Sequence, residues 1–190
     1  MAGVRRNETT VKKLKRIELP TEAMKLNVLM FGLDSMSRLH YIRKLPKTYK
    51  YLTEVLKGVV LKGYNIVGDG TPQALIPILT GHTELELPET RKRMSNANFV
   101  NIYPFVWKNF SSNGYVTAFV EDCPYTGTFT YRLKGFGDIP TDHYMRPFYI
   151  EAERVFKEHP KLCLGNKPRH VVSNLKSFLL FFTYFPFSHA

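Results

Sequence analysis

The fold class is decided by one stretch near the start of the sequence, residues 26–34, LNVLMFGLD. The first eight of these residues are nearly all apolar and rich in strand formers, which is typical of a parallel strand buried on both faces. Ser35 or Ser37 follows as a candidate helix cap, and the pattern from there to Leu56 is helical with a break at Pro46. The stretch therefore predicts a β-strand that leads directly into a helix.

Further strands and helices alternate along the rest of the chain. A second strand is predicted at 59–67, and Pro72 then suits the first turn of a helix that extends to Gly81. Beyond it the patterns predict helices and strands in the order helix 100–110, strand 115–120, helix 148–157, helix 170–176 and strand 177–185. This alternation predicts an α/β fold with a mostly parallel sheet and helices on both faces.

Composition and charge exclude several classes of protein. The chain has 190 residues, 44% of them hydrophobic and 23% charged, which is enough apolar surface to exclude disorder. The 27 Lys and Arg against 16 Asp and Glu give a net charge of +11, which indicates an anionic partner. Because neither zinc-finger spacing nor an aromatic RNA-binding motif is present, nucleic acid is not the favoured partner.

The compartment is indicated by small motifs. Residues 1–25 form a basic, linker-like segment without the apolar core of a signal peptide. The longest apolar run, 178–187, is far short of the ~20 residues that span a bilayer, so no membrane span is expected. Two N-glycosylation sequons begin at Asn7 and Asn109 and favour a secretory parent protein, in which Cys123 and Cys163 either pair or stay as thiols.

Candidate functional residues follow the predicted strands. In an open parallel sheet, ligands bind at the carboxyl ends of the strands, and polar residues stand there after every strand. They are Asp34 after the first, Asp69 and Thr71 after the second, Glu121 and Asp122 after the third, and Ser188 and His189 after the fourth. Any one of them fits a solvated loop, but together they suggest one site.

Thr71 and Asp34 each allow two interpretations. Thr71 follows a Gly-Asp-Gly turn and opens a helix, so its hydroxyl is either an N-cap or a nucleophile in the positive field of the helix terminus. Asp34 either caps the next helix or binds a cation through oxygen. A metal beside Thr71 would lower the pKa of the hydroxyl and neutralise a phosphoryl or sulfuryl group in transfer.

Two motifs extend this interpretation. Residues 28–38, VLMFGLDSMSR, and residues 68–81, GDGTPQALIPILTG, resemble the domain-of-unknown-function 229 (DUF229) proteins of animals. That family is similar to the alkaline phosphatase and sulfatase superfamily. The resemblance covers nearly the whole chain from Leu26, including 127–142 and the Phe-rich strand, and it implies an alkaline-phosphatase-like α/β domain over 26–190.

The resemblance assigns roles to individual residues. It implies that Thr71 is the nucleophile and a metal ligand, that Asp34 is a metal ligand and that His189 contacts substrate. Arg38 is added as a substrate-binding residue because its charge would attract an anionic ester. The implied cofactor is a divalent metal, with zinc favoured over calcium, manganese or magnesium.

The chain differs from the superfamily at its end. The superfamily's remaining Asp and His metal ligands come from later strands, so we expect this chain, ending at Ala190, to be an N-terminal half that is inactive and aggregation-prone alone. The parent is expected to be a metal-dependent hydrolase or transferase of phosphate or sulfate esters. The alternative is a non-catalytic binding protein of the same fold. Either would belong outside the cell or in the secretory lumen.

Overall fold

The structure is a computed structural model that describes residues 8–14, 21, 26–158, 163–164, 167–168 and 178–184. The helices of these ranges are α1 (Glu8–Leu14), α2 (Arg38–Lys44), α3 (Pro46–Lys50), α4 (Thr71–Thr80), α5 (Val106–Ser112) and α6 (Arg146–Glu158). The strands are β1 (Val28–Leu33), β2 (Val116–Glu121), β3 (His143–Tyr144), β4 (Cys163–Leu164), β5 (Lys167–Pro168) and β6 (Phe178–Tyr184). No helix in these ranges is both long and apolar enough to cross a bilayer.

The main sheet has four strands in the order β1-β6-β2-β3. β2 and β3 pair in parallel, whereas β6 pairs antiparallel with both β1 and β2. The predicted α/β class is confirmed, but the prediction of a mostly parallel sheet needs correction because the Phe-rich strand opposes its neighbours. The strand predicted at 26–33 forms as β1, but the prediction that it is parallel and buried on both faces is wrong. β1 pairs antiparallel with β6 at one end of the described sheet, and Leu29 and Phe31 are more than half exposed. The Phe-rich strand β6 has hydrogen-bonded neighbours on both sides, so it does not form an open apolar edge of this sheet.

The helices around the site form where their boundary residues predict them. Ser37 caps α2, its side chain accepting a hydrogen bond from the His40 N–H over 3.1 Å. Pro46 then begins α3, as expected of a residue that suits a first turn and breaks a helix interior. The ten-residue helix α4 ends at Gly81, whose φ of 75° is the left-handed conformation common at helix C-termini.

Two predicted elements are wrong in part or in whole. Residues 59–67 form no strand, and all of their apolar side chains except that of Val60 are exposed, with Val59 at 87%. A strand needs hydrogen-bonded neighbours, and apolar content alone does not supply them. The helix predicted at 100–110 is reduced to α5 after a short turn at Val100–Ile102. Pro104 explains the break, because it donates no hydrogen bond and holds Tyr103 in an extended conformation.

Two further predictions concern the ends of the chain. α1 is a seven-residue helix inside the segment predicted as a linker, with Glu8 in its first turn and lysines after it. That order of charges favours a helix through its dipole. The helix predicted at 170–176 lies outside the described residues.

The core is built around stacked aromatic rings. Phe105 and Trp107 stack with centroids 4.0 Å apart, and Phe119 of β2 packs against Trp107 at 5.7 Å. The buried members of the cluster are Ile76, Leu79, Val100, Tyr103, Phe105, Trp107, Phe119, Phe129 and Leu133. α4 contributes Ile76 and Leu79, so the core fixes α4 relative to β2. Trp107 is fully buried in this cluster and packs in the core.

Candidate active site

A cavity of about 540 Å³ opens where β1, α4 and β2 meet. Its walls come from the end of β1 and the turn after it, the start of α4, the end of β2 and the loop that follows. The polar side chains in these walls are Asp34, Ser35, Ser37, Thr71, Glu121 and Thr128. Polar groups from separate elements therefore converge on one cavity at the strand ends, where ligands are expected in an α/β fold.

One polar contact in the cavity joins Thr71 and Asp34. The Thr71 hydroxyl donates to Asp34 Oδ1 over 3.1 Å, across 37 positions of sequence. Thr71 is the first residue of α4, and Gly70 before it occupies the N-cap position without a capping side chain. The N-cap interpretation of Thr71 is therefore wrong. Its hydroxyl instead faces a carboxylate at the positive end of a ten-residue helix.

Gly70 allows this close approach. Its φ of 125° lies in the range that favours glycine, and a Cβ there would lie 2.8 Å from Gln73 Oε1. The Gln73 side chain is itself held by Glu84, to which its amide donates over 2.5 Å. The Gly-Asp-Gly turn thus fixes where α4 begins, and with it the position of the Thr71 hydroxyl.

Glu121 is the second carboxyl of the cavity, and it is only 7% exposed. Its Oε1 accepts two hydrogen bonds from Thr128, from the backbone N–H at 2.6 Å and from the hydroxyl at 2.7 Å. Its Oε2 accepts none from the described part of the chain. A Cβ on Gly127 would lie 2.6 Å from the carboxyl carbon, so the absence of a side chain there makes room for this carboxyl.

Burial raises the pKa of Glu121 from 4.5 to about 7, because desolvation penalises the charged form. The two Thr128 hydrogen bonds oppose this rise in pKa, and the nearby charges of Asp122 and Asp34 add to it. Burial also raises the pKa of Tyr144, on the neighbouring strand β3, to about 12. Near neutral pH the cavity therefore contains a carboxyl that exchanges a proton readily, whereas the Tyr144 phenol on the neighbouring strand keeps its proton.

The described residues do not complete a metal site. Asp34 and Thr71 supply two oxygen atoms, whereas a catalytic metal usually has three protein ligands. Within the described ranges no group of three or more His, Cys, Asp or Glu side chains could hold a metal. The implied zinc or other divalent cation is therefore not matched by these described residues alone.

The remaining predicted site residues lie in different places. Arg38 begins α2 directly after Ser37, which lines the cavity, and its side chain is exposed. Asp69 is exposed and is not part of the cavity wall. His189 lies outside the described residues, as does the side chain of Cys163, so their roles stay predictions.

Sequence reasoning missed the roles of Gly127 and Thr128 and left Glu121 as one strand-end carboxylate among several. A signal for Glu121 was present in β2, where alternate residues Thr117, Phe119 and Glu121 are buried. Because carboxyl groups are rarely buried, a glutamate that continues an alternating pattern of buried residues is a candidate functional residue. No comparable pattern marks Thr128, because its contact depends on the path of the loop.

Fold and cavity together define an α/β protein with a hydroxyl–carboxylate pair and a buried carboxyl at its strand ends. The chain belongs to the family described as protein of unknown function DUF229, whose model matches residues 4–183. This confirms the family resemblance of the two motifs. No curated protein and no solved structure matches the chain.

Proposed function

We propose that this domain bears the nucleophile of a hydrolase or transferase that acts on phosphate or sulfate esters. The supporting observation is the hydrogen bond from the Thr71 hydroxyl to Asp34 Oδ1 inside the cavity. A hydroxyl becomes a nucleophile when an adjacent base accepts its proton, and the Asp34 carboxylate is placed to do so. The helix terminus at Thr71 favours the negative charge that develops on the transferred group.

The reaction would begin with attack of Thr71 Oγ on the phosphorus or sulfur atom of the bound ester. Asp34 accepts the hydroxyl proton and the alcohol leaves. Water, or a second alcohol, then releases the group from Thr71. The net charge of +11 favours an anionic ester over a neutral one, and Arg38 at the start of α2 is the cation we propose to contact it.

A divalent cation, with zinc favoured, is also proposed as a cofactor. Its role would be to lower the pKa of the Thr71 hydroxyl and to offset charge on the ester. Asp34 and Thr71 are the two ligands that the described residues offer, and His189 is proposed as a substrate contact. Stripping metal with a chelator and restoring zinc, manganese, magnesium or calcium in turn tests this part of the proposal.

The nucleophile is tested with Thr71→Ala and Thr71→Ser in the full natural chain. Release of p-nitrophenol from p-nitrophenyl phosphate and p-nitrophenyl sulfate is measured for each variant. We expect Thr71→Ala to remove most turnover and Thr71→Ser to retain part of it, because serine keeps the hydroxyl. A Thr71→Ala protein that turns over these esters as fast as the wild type would refute the proposal.

The second candidate is a non-catalytic binding protein of the same fold. The observation in its favour is the lack of a three-ligand metal group within the described ranges. It predicts that esters bind in the cavity without being cleaved. Protection of the cavity residues by p-nitrophenyl phosphate in hydrogen exchange, with no release of p-nitrophenol, would favour this candidate.

The proposed location is the extracellular space or the secretory lumen. Asn109 of the second sequon is exposed on α5, so a glycan attached there would not contact the core. Expression behind a signal peptide should add glycosidase-sensitive mass that Ser111→Ala removes. No such mass at Asn109 would count against a secretory history, and a glycan at Asn7 alone would not support one.

A further inference from the structure

We propose that Glu121 is the general acid of this site and donates its proton from Oε2 to the oxygen of the departing alcohol. The proposal rests on the proposed function, since it needs Thr71 to attack an ester in the same cavity. It assigns a catalytic role to a carboxyl that lies on a different strand from Asp34 and that the strand-end pattern did not distinguish from its neighbours.

The position of the proton follows from the hydrogen bonds. Glu121 is 7% exposed, and both donors of Thr128 bond to Oε1, at 2.6 Å and 2.7 Å. A backbone N–H can only donate, and a carboxylic acid accepts chiefly at its carbonyl oxygen. When Glu121 is protonated, its proton therefore sits on Oε2, which accepts no hydrogen bond from any described residue. Oε2 lies beside Gly127, where the missing side chain leaves it room, and Glu121 itself lines the cavity. Oε2 is therefore the oxygen that we propose to face a bound ester.

Desolvation on burial is the largest cause of the raised pKa of this carboxyl, so a large fraction of it is protonated near neutral pH. Asp34 after β1 and Asp122 at the end of β2 both disfavour its charge, and Thr128 opposes them. Tyr144 of β3 also interacts electrostatically with Glu121. Burial brings the pKa to about 7, which is the range in which a side chain both holds and releases a proton effectively.

The proposed step balances. The Thr71 Oγ–P or Oγ–S bond forms, the bond to the leaving oxygen breaks, and its electron pair stays on that oxygen. The leaving oxygen takes the proton of Glu121, and Asp34 takes the proton of Thr71. In the second half, Glu121 accepts a proton from the attacking water and Asp34 returns one to Thr71.

A substrate class follows from this assignment. An acid is of most use when the leaving oxygen is strongly basic, as it is in the ester of an ordinary alcohol. The leaving group of an anhydride or of an activated aryl ester departs as an anion and does not need a proton from an acid. The site is therefore suited to alkyl esters of phosphate or sulfate.

The test compares two leaving groups in the full natural chain. p-Nitrophenol leaves as an anion at neutral pH, whereas phenol resembles tyrosine, with a pKa of about 10. We expect Glu121→Gln to lower turnover of phenyl phosphate or phenyl sulfate by about 100-fold. The loss for the corresponding p-nitrophenyl ester should be at least about tenfold smaller. Glu151→Gln, on the exposed face of α6, is the matched control and should change neither rate.

The pH profile supplies a second readout that does not need Glu121 to be replaced. Thr128→Val keeps the shape and the backbone N–H but loses the hydroxyl that lowers the pKa of Glu121. The alkaline limb of the wild-type profile should fall near pH 7, move upward in Thr128→Val and be absent in Glu121→Gln.

The outcomes separate this inference from the proposed function. Equal losses for both leaving groups in Glu121→Gln, or an alkaline limb that Thr128→Val does not move, would overturn the general acid while Thr71→Ala still shows the nucleophile. If Thr71→Ala keeps the turnover of the wild type, or if the wild type shows no turnover, both the general acid and the nucleophile are refuted.

Discussion

Two segments rich in strand-forming residues differ in this molecule, because one forms a paired strand and the other does not. β2 (Val116–Glu121) pairs with β6 on one side and β3 on the other, and its alternate residues are buried. Residues 59–67 are also rich in strand-forming residues but form no strand, and Leu61, Ile66 and Val67 are each at least 60% exposed. The difference shows that pairing, and not hydrophobicity, decides which of them becomes a strand.

The comparison also locates the site. β2 places Glu121 at the cavity because Thr117 and Phe119, on the same face of the strand, are buried and fix the strand in the core. Residues 59–67 lead to Thr71, yet the position of Thr71 is fixed by Gly70 and by α4 packing on the core. One side of the cavity therefore depends on a strand, and the other depends on a turn and a helix.

The largest expected effect contrasts a core residue of β2 with a residue of 59–67. Phe119→Ala should lower the free energy of unfolding by about 3–5 kcal/mol, since Phe119 is buried against Trp107. Val59→Ala should change it by no more than about 0.5 kcal/mol, because that side chain is 87% exposed. Urea unfolding of both variants measures the difference. A similar loss for Val59→Ala would mean that 59–67 is packed after all.

The second effect concerns pH. The pKa of Glu121 rises from 4.5 to about 7 on folding, so its contribution to stability is complete below pH 4.5 and is lost as pH rises toward 7. The loss should be roughly 3 kcal/mol in the wild type and absent in Glu121→Gln. Glu54→Gln, an exposed change just before 59–67, should keep the wild-type dependence. Parallel curves for the wild type and Glu121→Gln would contradict the burial of this carboxyl.

The smallest effect compares two glycines. Gly127→Ala places a Cβ against the Glu121 carboxyl, so it should cost about 1–3 kcal/mol. Gly63→Ala lies in the exposed segment with no atom within 4 Å of the added Cβ, and should be neutral or slightly stabilising. Thermal unfolding of the two variants tests this. Equal melting temperatures would show that the loop at Gly127 yields without cost.

The sequence predicted the elements that are defined by local signals. Ser37 and Pro46 set the helices after β1, and Gly81 ends α4, because caps and breakers act within a turn. The strand-end argument also placed Asp34 and Thr71 at one edge, and they do meet there.

What depends on long-range contacts could not be predicted in the same way. The antiparallel direction of β6 and the failure of 59–67 to pair are decided by which strands become neighbours, and local pattern does not contain that information. Thr71 looked like a helix cap because its partner, Asp34, lies 37 positions away. The contact of Thr128 with Glu121 was missed because the chain between them folds as an irregular loop.

The central claim, that Thr71 is the nucleophile, is tested most directly by the mass of the protein during turnover. The full natural chain is incubated with p-nitrophenyl phosphate or p-nitrophenyl sulfate, quenched in acid and mapped by mass spectrometry. We predict one phosphoryl or sulfuryl group on Thr71, on the serine of Thr71→Ser, and on no residue of Thr71→Ala. Turnover with no adduct at Thr71, or an adduct that persists elsewhere in Thr71→Ala, would contradict the claim.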